Sequence, residues 1–206
     1  MQKMFLHLQK VLDEFPDSYV VIGGLAATLL GAPRTTVDVD VVMLLSPQEV
    51  ERTVRICEQQ GLHPRADAVV RLKEGRPVKF AFSRRFSVDL RLASFSLDRM
   101  AIRRAQVVFL FGYPLRIATP EDLIVYKLAR WSAIDQEDVK HIILHFGDSL
   151  DISYLEEQVC LLREEAGLPS MMERWHSIHS RLIAPDVSPE DDPEELSDGW
   201  LGKAGV

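Results

Sequence analysis

The chain has 206 residues, of which 47% are hydrophobic, and it carries a formal net charge of −7. This composition supports one hydrophobic core with a small appendage, and no apolar run is long enough to cross a bilayer, so we expect no membrane partner. The two cysteines, Cys57 and Cys160, lie in helical patterns and match no zinc motif, which favours reduced thiols and a cytoplasmic location.

The first elements of the chain alternate between helical and strand-like patterns. Residues 2–15 show helical apolar spacing, and residues 19–22 form a short apolar run that is typical of a buried strand. This run ends at Gly23-Gly24, after which residues 25–30 predict a short apolar helix. A strand that turns directly into a helix at two glycines would let a phosphate approach bare backbone N–H groups.

A second strand is predicted over residues 37–43, where β-branched residues alternate with Asp38 and Asp40. Residues two apart on a strand project to the same face, so the two carboxylates are expected side by side. Paired carboxylates repel each other unless a cation lies between them, and oxygen ligands suit Mg²⁺. Together the glycine pair and the aspartate pair indicate phosphoryl chemistry. Taken separately, they are also compatible with an ordinary tight turn and with a charged edge strand.

The middle of the chain contains one well-marked helix and then several strand-like runs. Ser46, Pro47 and Glu49 predict a capped helix that continues to residue 60. Strands are predicted over residues 66–72, 78–83, 86–92, 106–111 and 114–118. Asp89 lies at the centre of the third of these runs. If that run pairs beside the Asp38 strand, three carboxylates converge.

Helices dominate the rest of the chain. Thr119 and Pro120 predict a helix to residue 131, and further helices are predicted over residues 135–147, 151–166 and 169–182. A mixed sheet followed by helices predicts an α/β (α+β) fold, with a core over 1–118 and a helical subdomain over 119–183 packed on it. Residues 184–206 hold seven acidic residues against one lysine, which predicts a disordered acidic tail.

Positive charge is concentrated between residues 65 and 104, which carry eleven Lys and Arg against four acidic residues. A basic zone of this kind suits a polyanionic substrate, either a triphosphate or an RNA backbone. An ordinary solvated surface has a similar composition, so this zone alone leaves RNA binding open.

The order of these motifs resembles the nucleotidyltransferase superfamily of DNA polymerase β, in which a Gly-Gly helix start precedes Asp-x-Asp and a later single aspartate. More narrowly, the chain is similar to minimal nucleotidyltransferases that include AbiEii-type toxins. That closer resemblance depends on the run from Arg34 through Thr36 to Asp40, the segment 119–123, Lys127, and the pair Asp135 and Asp138. It covers roughly residues 15–147.

This resemblance implies a Mg²⁺-dependent enzyme, with Mn²⁺ as the alternative ion, that moves a nucleoside monophosphate from a nucleoside triphosphate to a hydroxyl acceptor. The metal-binding and catalytic residues would be Asp38, Asp40 and Asp89. The nucleotide-binding residues would be Gly23, Gly24, Arg34, Thr36 and Lys127. From the sequence alone, Lys127 is equally compatible with a lysine on a helix rim, and Asp135 and Asp138 could orient it or cap the next helix.

Three functions remain open at this level. The first is a toxin-like enzyme that adds nucleotides to RNA and is neutralised by an antitoxin-like protein partner. The second is a nucleotidyltransferase that modifies a small molecule or a protein. The third is a non-enzymatic nucleotide-binding module on the same scaffold, and three intact carboxylates argue against it. Fold-level analogy alone does not choose among acceptors.

Overall fold

The computed structural model describes residues 1–64 and 67–182, and the predicted acidic tail over 184–206 lies outside the described residues. The strands are β1 Tyr19–Ile22, β2 Asp38–Met43, β3 His63–Pro64, β4 Val78–Ala81, β5 Ser87–Leu92, β6 Gln106–Leu110 and β7 Tyr113–Ile117. The helices are α1 Gln2–Leu12, α2 Gly23–Leu29, α3 Pro47–Gln59, α4 Ala68–Lys73, α5 Ser96–Arg104, α6 Pro120–Arg130, α7 Ala133–Phe146, α8 Ile152–Ala166 and α9 Met171–Leu182. A short 3-10 helix, Gly147–Ser149, follows α7.

The strands form one seven-stranded sheet in the order β3-β4-β5-β2-β1-β7-β6. The sheet is mixed, because β2 pairs in parallel with β5 and β1 in parallel with β7, while the other neighbours are antiparallel. Helices cover it, so the predicted α/β fold with a mixed sheet is confirmed. The division into a core over 1–118 and a helical subdomain over 119–183 stays a prediction.

The centre of the sheet is built from strands that are apolar on both faces. Val20 and Val21 of β1 and Val41 and Val42 of β2, which project to opposite faces, are almost fully buried. Because β1 and β2 lie between other strands, each contributes side chains to the packing on both sides of the sheet. The residues of β2 that break this apolar pattern are Asp38 and Asp40, which are only partly buried.

Two helix starts follow the predicted capping chemistry closely. Ser46 caps α3 by accepting a hydrogen bond from the Glu49 amide, while the Glu49 carboxylate accepts one from the Ser46 amide. Thr119 caps α6 in the same way through the Asp122 amide, and Pro120 occupies the first helical turn. The local sequence therefore defines where these helices begin.

The strand predicted over residues 66–72 is wrong: this segment contains the helix α4. The β-branched pair Val69 and Val70 favours a strand, but the buried residues of the segment, Ala68 and Leu72, are four apart and face the core together. Tertiary packing of that face outweighs the local β preference. Asp67 precedes the helix with a positive φ of 70°.

Two elements were not predicted, the helix α5 and the two-residue strand β3. In α5 the buried residues Leu97, Ala101 and Ile102 have helical spacing, and the Asp98 carboxylate accepts hydrogen bonds from the amides of Ser94 and Phe95. A buried aspartate at this position hides the apolar periodicity of a short helix. Within residues 1–64 and 67–182, no helix is both long and apolar enough to span a membrane.

Candidate active site

Three of the sequence-predicted aspartates lie together on one face of the sheet. The strand register aligns Ile22 of β1 with Asp40 of β2, Asp40 with Asp89 of β5, and Asp89 with Lys79 of β4. These residues form one row across four strands, and Asp38 lies two positions before Asp40 on the same face. We call Asp38, Asp40, Asp89 and Lys79 the carboxylate row.

Lys79 lies between two of the carboxylates. Its ammonium nitrogen is 3.6 Å from Oδ1 of Asp38 and 3.2 Å from Oδ2 of Asp89. It also donates a hydrogen bond of 3.3 Å to the hydroxyl of Ser87, which in turn donates to Oδ1 of Asp38. Asp38 and Asp89 are thus partly neutralised by a lysine that the sequence placed only within the basic zone.

Unlike Asp38 and Asp89, Asp40 is not paired with Lys79; its carboxylate packs against Gly23 at the start of α2. Gly23 has a φ of +68°, and a Cβ atom added to it would lie 2.0 Å from Oδ2 of Asp40, so only glycine fits there. Burial and the nearby charge of Asp89 raise the pKa of Asp40, while a hydrogen bond from the Gly24 amide and the charge of Arg130 oppose that rise. Asp40 therefore carries a negative charge that its surroundings only partly compensate.

Gly24 is enclosed by two other members of the predicted nucleotide-binding set, Arg34 and Thr36. A Cβ atom at Gly24 would lie 3.0 Å from Nη2 of Arg34 and 3.2 Å from the hydroxyl oxygen of Thr36. The Thr36 hydroxyl donates a hydrogen bond of 2.9 Å to the carbonyl oxygen of Asp38. Arg34 and Thr36 thus hold the first residues of β2 against the N-terminal end of α2.

Arg34 also reaches a set of charged residues beneath α2. Its guanidinium donates to Oδ2 of Asp138 at 2.7 Å, and the same oxygen accepts a hydrogen bond of 2.6 Å from Lys127. Lys127 further contacts Asp135 at 3.3 Å, and Arg130 binds both carboxylate oxygens of Asp135. We call this set the buried ion network; its members are Arg34, Lys127, Arg130, Asp135 and Asp138.

The Lys127 ammonium is buried and paired, whereas a lysine available to bind phosphate would be accessible to it. The side chain is only 3% exposed, and its ammonium is held by the two carboxylates of the buried ion network. Burial raises the pKa of Asp135, but hydrogen bonds from Arg130 and Ser132 and the charge of Lys127 outweigh it and lower that pKa strongly. The role of Lys127 in triphosphate binding stays a prediction, and Arg130, whose side chain is 67% exposed, is the more accessible cation.

A second ion pair, between Arg91 and Asp98, lies on the side of the site formed by β5 and α5. Arg91 of β5 binds both oxygens of Asp98 at 2.8 and 2.6 Å, and the Tyr126 hydroxyl donates to the same carboxylate at 2.8 Å. Burial opposes ionisation of Asp98, but Arg91 and two backbone amides overcome it and lower the pKa of Asp98. The sequence pattern did not single out Asp98 or Tyr126.

Two cavities flank Asp40. The smaller, of about 170 Å³, lies on the α2 side and is lined by Gly23, Arg91, Tyr126, Lys127 and Arg130 among others. The larger, of about 450 Å³, lies on the β4 side and is lined by Asp40, Asp67, Arg71, Pro77, Val78, Lys79 and Asp89. Asp40 belongs to both linings, so it lies between the two cavities.

The carboxylate row has the donor chemistry for a divalent cation. Three carboxylates on adjacent strands supply hard oxygen ligands, and a cationic ammonium already lies between two of them. Over the part of the chain that the structure describes, no three acidic, histidine or cysteine side chains are arranged so as to hold a metal ion. The reason is visible in the row: Lys79 holds Asp38 and Asp89, while Asp40 is turned toward Gly23.

The chain matches the model of a protein family over residues 2–176, and the family is described as nucleotidyltransferases of unknown function (DUF6036). The match spans most of the chain, so the protein belongs to this family and is an enzyme of the nucleotidyltransferase class. The resemblance to the nucleotidyltransferase superfamily is thereby confirmed. Its closer similarity to toxin components stays a prediction.

Several solved structures are similar to this chain at low sequence identity. A nucleotidyltransferase-like antigenic protein from Paracoccidioides brasiliensis is 17% identical, with a TM-score of 0.48 over 84% of this chain and 92% of that one. The lincosamide antibiotic adenylyltransferase LnuA is 11% identical, with a TM-score of 0.48 over 69% and 95%. The antibiotic-resistance factor ANT(2'')-Ia is 17% identical, with a TM-score of 0.47 over 86% and 98%. A comparison with curated proteins finds no significant match.

Proposed function

We propose that the protein transfers a nucleoside monophosphate from a nucleoside triphosphate to a hydroxyl acceptor, with Mg²⁺, or alternatively Mn²⁺, as its cofactor. The observation that carries this proposal is the carboxylate row, in which Asp40 and Asp89 are register partners between two cavities. In this assignment Asp38, Asp40 and Asp89 are the carboxylates that surround the site of the divalent ion. When bound, such an ion neutralises the charge that develops on the reacting phosphate.

The smaller cavity suits the triphosphate. It adjoins the N-terminal end of α2 at Gly23, and it is lined by the cations Arg91, Lys127 and Arg130. Backbone N–H groups and a positive helix end favour phosphate oxygens. Arg130 has the most accessible of the three cationic groups, and its guanidinium can bind a phosphate in two-point fashion.

The larger cavity suits the acceptor because it borders Asp89 at a half-exposed position. The acceptor hydroxyl oxygen forms a bond to the α-phosphorus while the bond from that phosphorus to the pyrophosphate oxygen breaks. Asp89 accepts the hydroxyl proton as the new bond forms. Pyrophosphate leaves with the electron pair of the broken bond, and its charge is met by the cations of the smaller cavity.

An RNA acceptor is favoured by the charges around the larger cavity. Arg71 lines it, and the exposed pair Arg84 and Arg85 occupies the turn that leads into Ser87, beside Asp38. The guanidinium of Arg85 lies 5.6 Å from the centroid of the Phe86 ring, which provides a cation–aromatic pair next to Ser87. This combination suits a phosphate backbone with an accessible base. An antitoxin-like partner and a cytoplasmic location are parts of the same proposal.

A small cationic molecule is the second candidate acceptor. Three carboxylates, Asp40, Asp67 and Asp89, line the larger cavity. Together they can attract amino groups on an acceptor through charge complementarity. In that case Arg84 and Arg85 would be ordinary surface residues.

A transfer assay tests both candidates. The protein, its Asp38→Asn variant and an Asp148→Asn control would be incubated with Mg²⁺, each α-labelled nucleoside triphosphate, total RNA and a cell lysate. Asp148 is exposed and lies in the 3-10 helix, so its variant should match the wild type. The Asp38→Asn substitution should lower the transfer rate by about 10²–10³-fold.

The location of the label distinguishes the acceptors. Label on RNA in the wild type and the control supports the first candidate, and label only in the small-molecule fraction supports the second. Equal transfer by the Asp38→Asn variant, or no transfer with any nucleotide, would contradict the proposed function.

A further inference from the structure

Lys79 is placed in the carboxylate row by the backbone itself. The antiparallel pairing of β4 with β5 sets Lys79 directly across from Asp89. On β4, the neighbours Val78 and Phe80 are buried, and Lys79 therefore projects from the opposite face, where the carboxylates lie. Moving the backbone of Lys79 away from Asp89 would require a change of register that also moved Val78 and Phe80 out of the core.

The Lys79 ammonium has three polar contacts. It forms ion pairs with Asp38 and Asp89 and donates a hydrogen bond to the Ser87 hydroxyl, at the distances given above. Lys79 and Ser87 both approach Oδ1 of Asp38, so Oδ2 is the oxygen with which Asp38 can bind a second cation. The Lys79 side chain is 48% exposed and borders the larger cavity, so its ammonium is accessible to an acceptor that enters this cavity.

A neighbouring cation shows that this arrangement is specific. Arg71 lines the same cavity, but its guanidinium donates to the carbonyl oxygen of Pro77 at 3.3 Å. Proximity to the acidic cavity is therefore insufficient to bring a basic side chain onto the carboxylates. Lys79 reaches them because its strand position aligns it with Asp89.

The charges of the row balance with one divalent ion. Asp38, Asp40 and Asp89 carry three negative charges when ionised, and one divalent ion with one ammonium supplies three positive charges. A second divalent ion at Asp38 and Asp89 would have to share both carboxylates with the Lys79 ammonium, and like charges at such short range repel strongly. Asp40 faces Gly23 instead, on the side of the smaller cavity.

We propose that Lys79 takes the place of the acceptor-side metal ion, so that the enzyme works with a single divalent cation held by Asp38 and Asp40 on the triphosphate side. This inference rests on the proposed function and specifies which cations neutralise the three carboxylates of its site. Lys79 then keeps Asp89 oriented toward the acceptor and stabilises the negative charge that develops on the attacking oxygen. The proton of the hydroxyl passes to Asp89, as above, and Lys79 stays protonated throughout.

The number of bound ions tests this proposal. Wild type, Lys79→Gln and Arg71→Gln would be dialysed to equilibrium against Mn²⁺ and the α,β-methylene analogue of each nucleoside triphosphate in turn. Bound Mn²⁺ and analogue would be counted per chain, and electron paramagnetic resonance would report coupling between neighbouring Mn²⁺ ions. Two metals that share carboxylates lie about 3.5–4 Å apart and give a coupled spectrum.

We expect one Mn²⁺ for each bound analogue in wild type and Arg71→Gln, with an uncoupled spectrum. Lys79→Gln should bind two, with a coupled spectrum, because the freed carboxylates accept a second ion. Two coupled ions in wild type, or a single ion in Lys79→Gln at saturating Mn²⁺, would overturn the proposal while leaving the proposed function intact. Absence of analogue binding in all three proteins would instead overturn the proposed function, and the Lys79 inference with it.

Discussion

The carboxylate row and the buried ion network contain the same kinds of residues but compensate their charges differently. In the network, Lys127 is enclosed by Asp135 and Asp138, and the pKa of Asp135 is strongly lowered although burial opposes this. In the row, burial and the charge of Asp89 raise the pKa of Asp40. A buried set of charges that is satisfied internally is costly to break, whereas one that is left unbalanced marks a candidate functional site.

The difference is also one of exposure. Asp135 and Asp138 have side chains that are 2% and 4% exposed, whereas those of Asp38 and Asp89 are 38% and 30% exposed. Two residues couple the clusters, since Arg34 contacts both Gly24 and Asp138, and Arg130 influences the pKa of Asp40. The network therefore holds in place the helix end against which Asp40 packs.

The largest expected effect comes from removing the cation of the network. Lys127→Met leaves Asp135 and Asp138 with less compensation in a buried site, and we expect a loss of about 3–5 kcal/mol in the free energy of unfolding. Lys140→Met is the matched control, because Lys140 pairs with Glu137 on the exposed side of α7 and should cost only about 0–1 kcal/mol. Urea denaturation of both variants provides the measurement. A small loss for Lys127→Met, together with failure to bind nucleotide, would instead support the predicted triphosphate role.

A smaller effect is expected from a methyl group placed between the row and α2. Gly23→Ala brings a Cβ atom to within 2.0 Å of Asp40, whereas Gly61, with a similar φ of +73°, has nothing within 4 Å of its added Cβ. Gly61→Ala should cost about 1–2 kcal/mol for backbone strain alone. We expect Gly23→Ala to cost a further 1–3 kcal/mol or so by overpacking, and to impair transfer by displacing Asp40. Equal losses in the two variants would show that Asp40 moves aside without penalty.

The smallest effect is a gain in stability from neutralising the row. Because the folded-state pKa of Asp40 is raised, its ionisation opposes folding at neutral pH, and this penalty disappears as the pH falls toward the unfolded value of 3.8. Asp40→Asn should therefore unfold at a higher temperature than wild type at pH 7 in the presence of a chelator. The advantage should shrink steadily as the pH is lowered toward 4. An Asp40→Asn variant that is less stable at pH 7 would indicate that Asp40 is compensated after all.

Periodicity predicted the row better than the network. Residues two apart on a strand must share a face, so the grouping of Asp38 with Asp40 followed from sequence, and the pairing of β2 with β5 added Asp89 as expected. Apolar and polar residues also alternate regularly around Lys79. The alignment of Lys79 with Asp89, however, depends on the register between β4 and β5, which the sequence of either strand alone does not determine.

The sequence offered the pairing of Lys127 with Asp135 and Asp138 as one alternative, but the contact of Arg34 with this network lies beyond local patterns. Arg34 and Asp138 are separated by 104 positions, and their ion pair exists only because the fold brings α7 to the loop that precedes β2. The strand predicted over 66–72 failed in a related way, since the packing of Ala68 and Leu72 against the core decides the conformation of α4. Local signals fixed the caps at Ser46 and Thr119, where a few neighbouring residues carry the whole interaction.

The long separation of Arg34 from Asp138 also has a consequence for synthesis of the protein. Ribosomes add about 5–20 residues per second, so Arg34 waits roughly 5–20 seconds before its partner has been made. Until then the segment around Gly24 lacks the ion pair that holds Arg34 in place, although Asp38, Asp40 and Asp89 have already been made. The surroundings of Gly24 are thus completed late in translation, once the segment around residue 138 has left the ribosome.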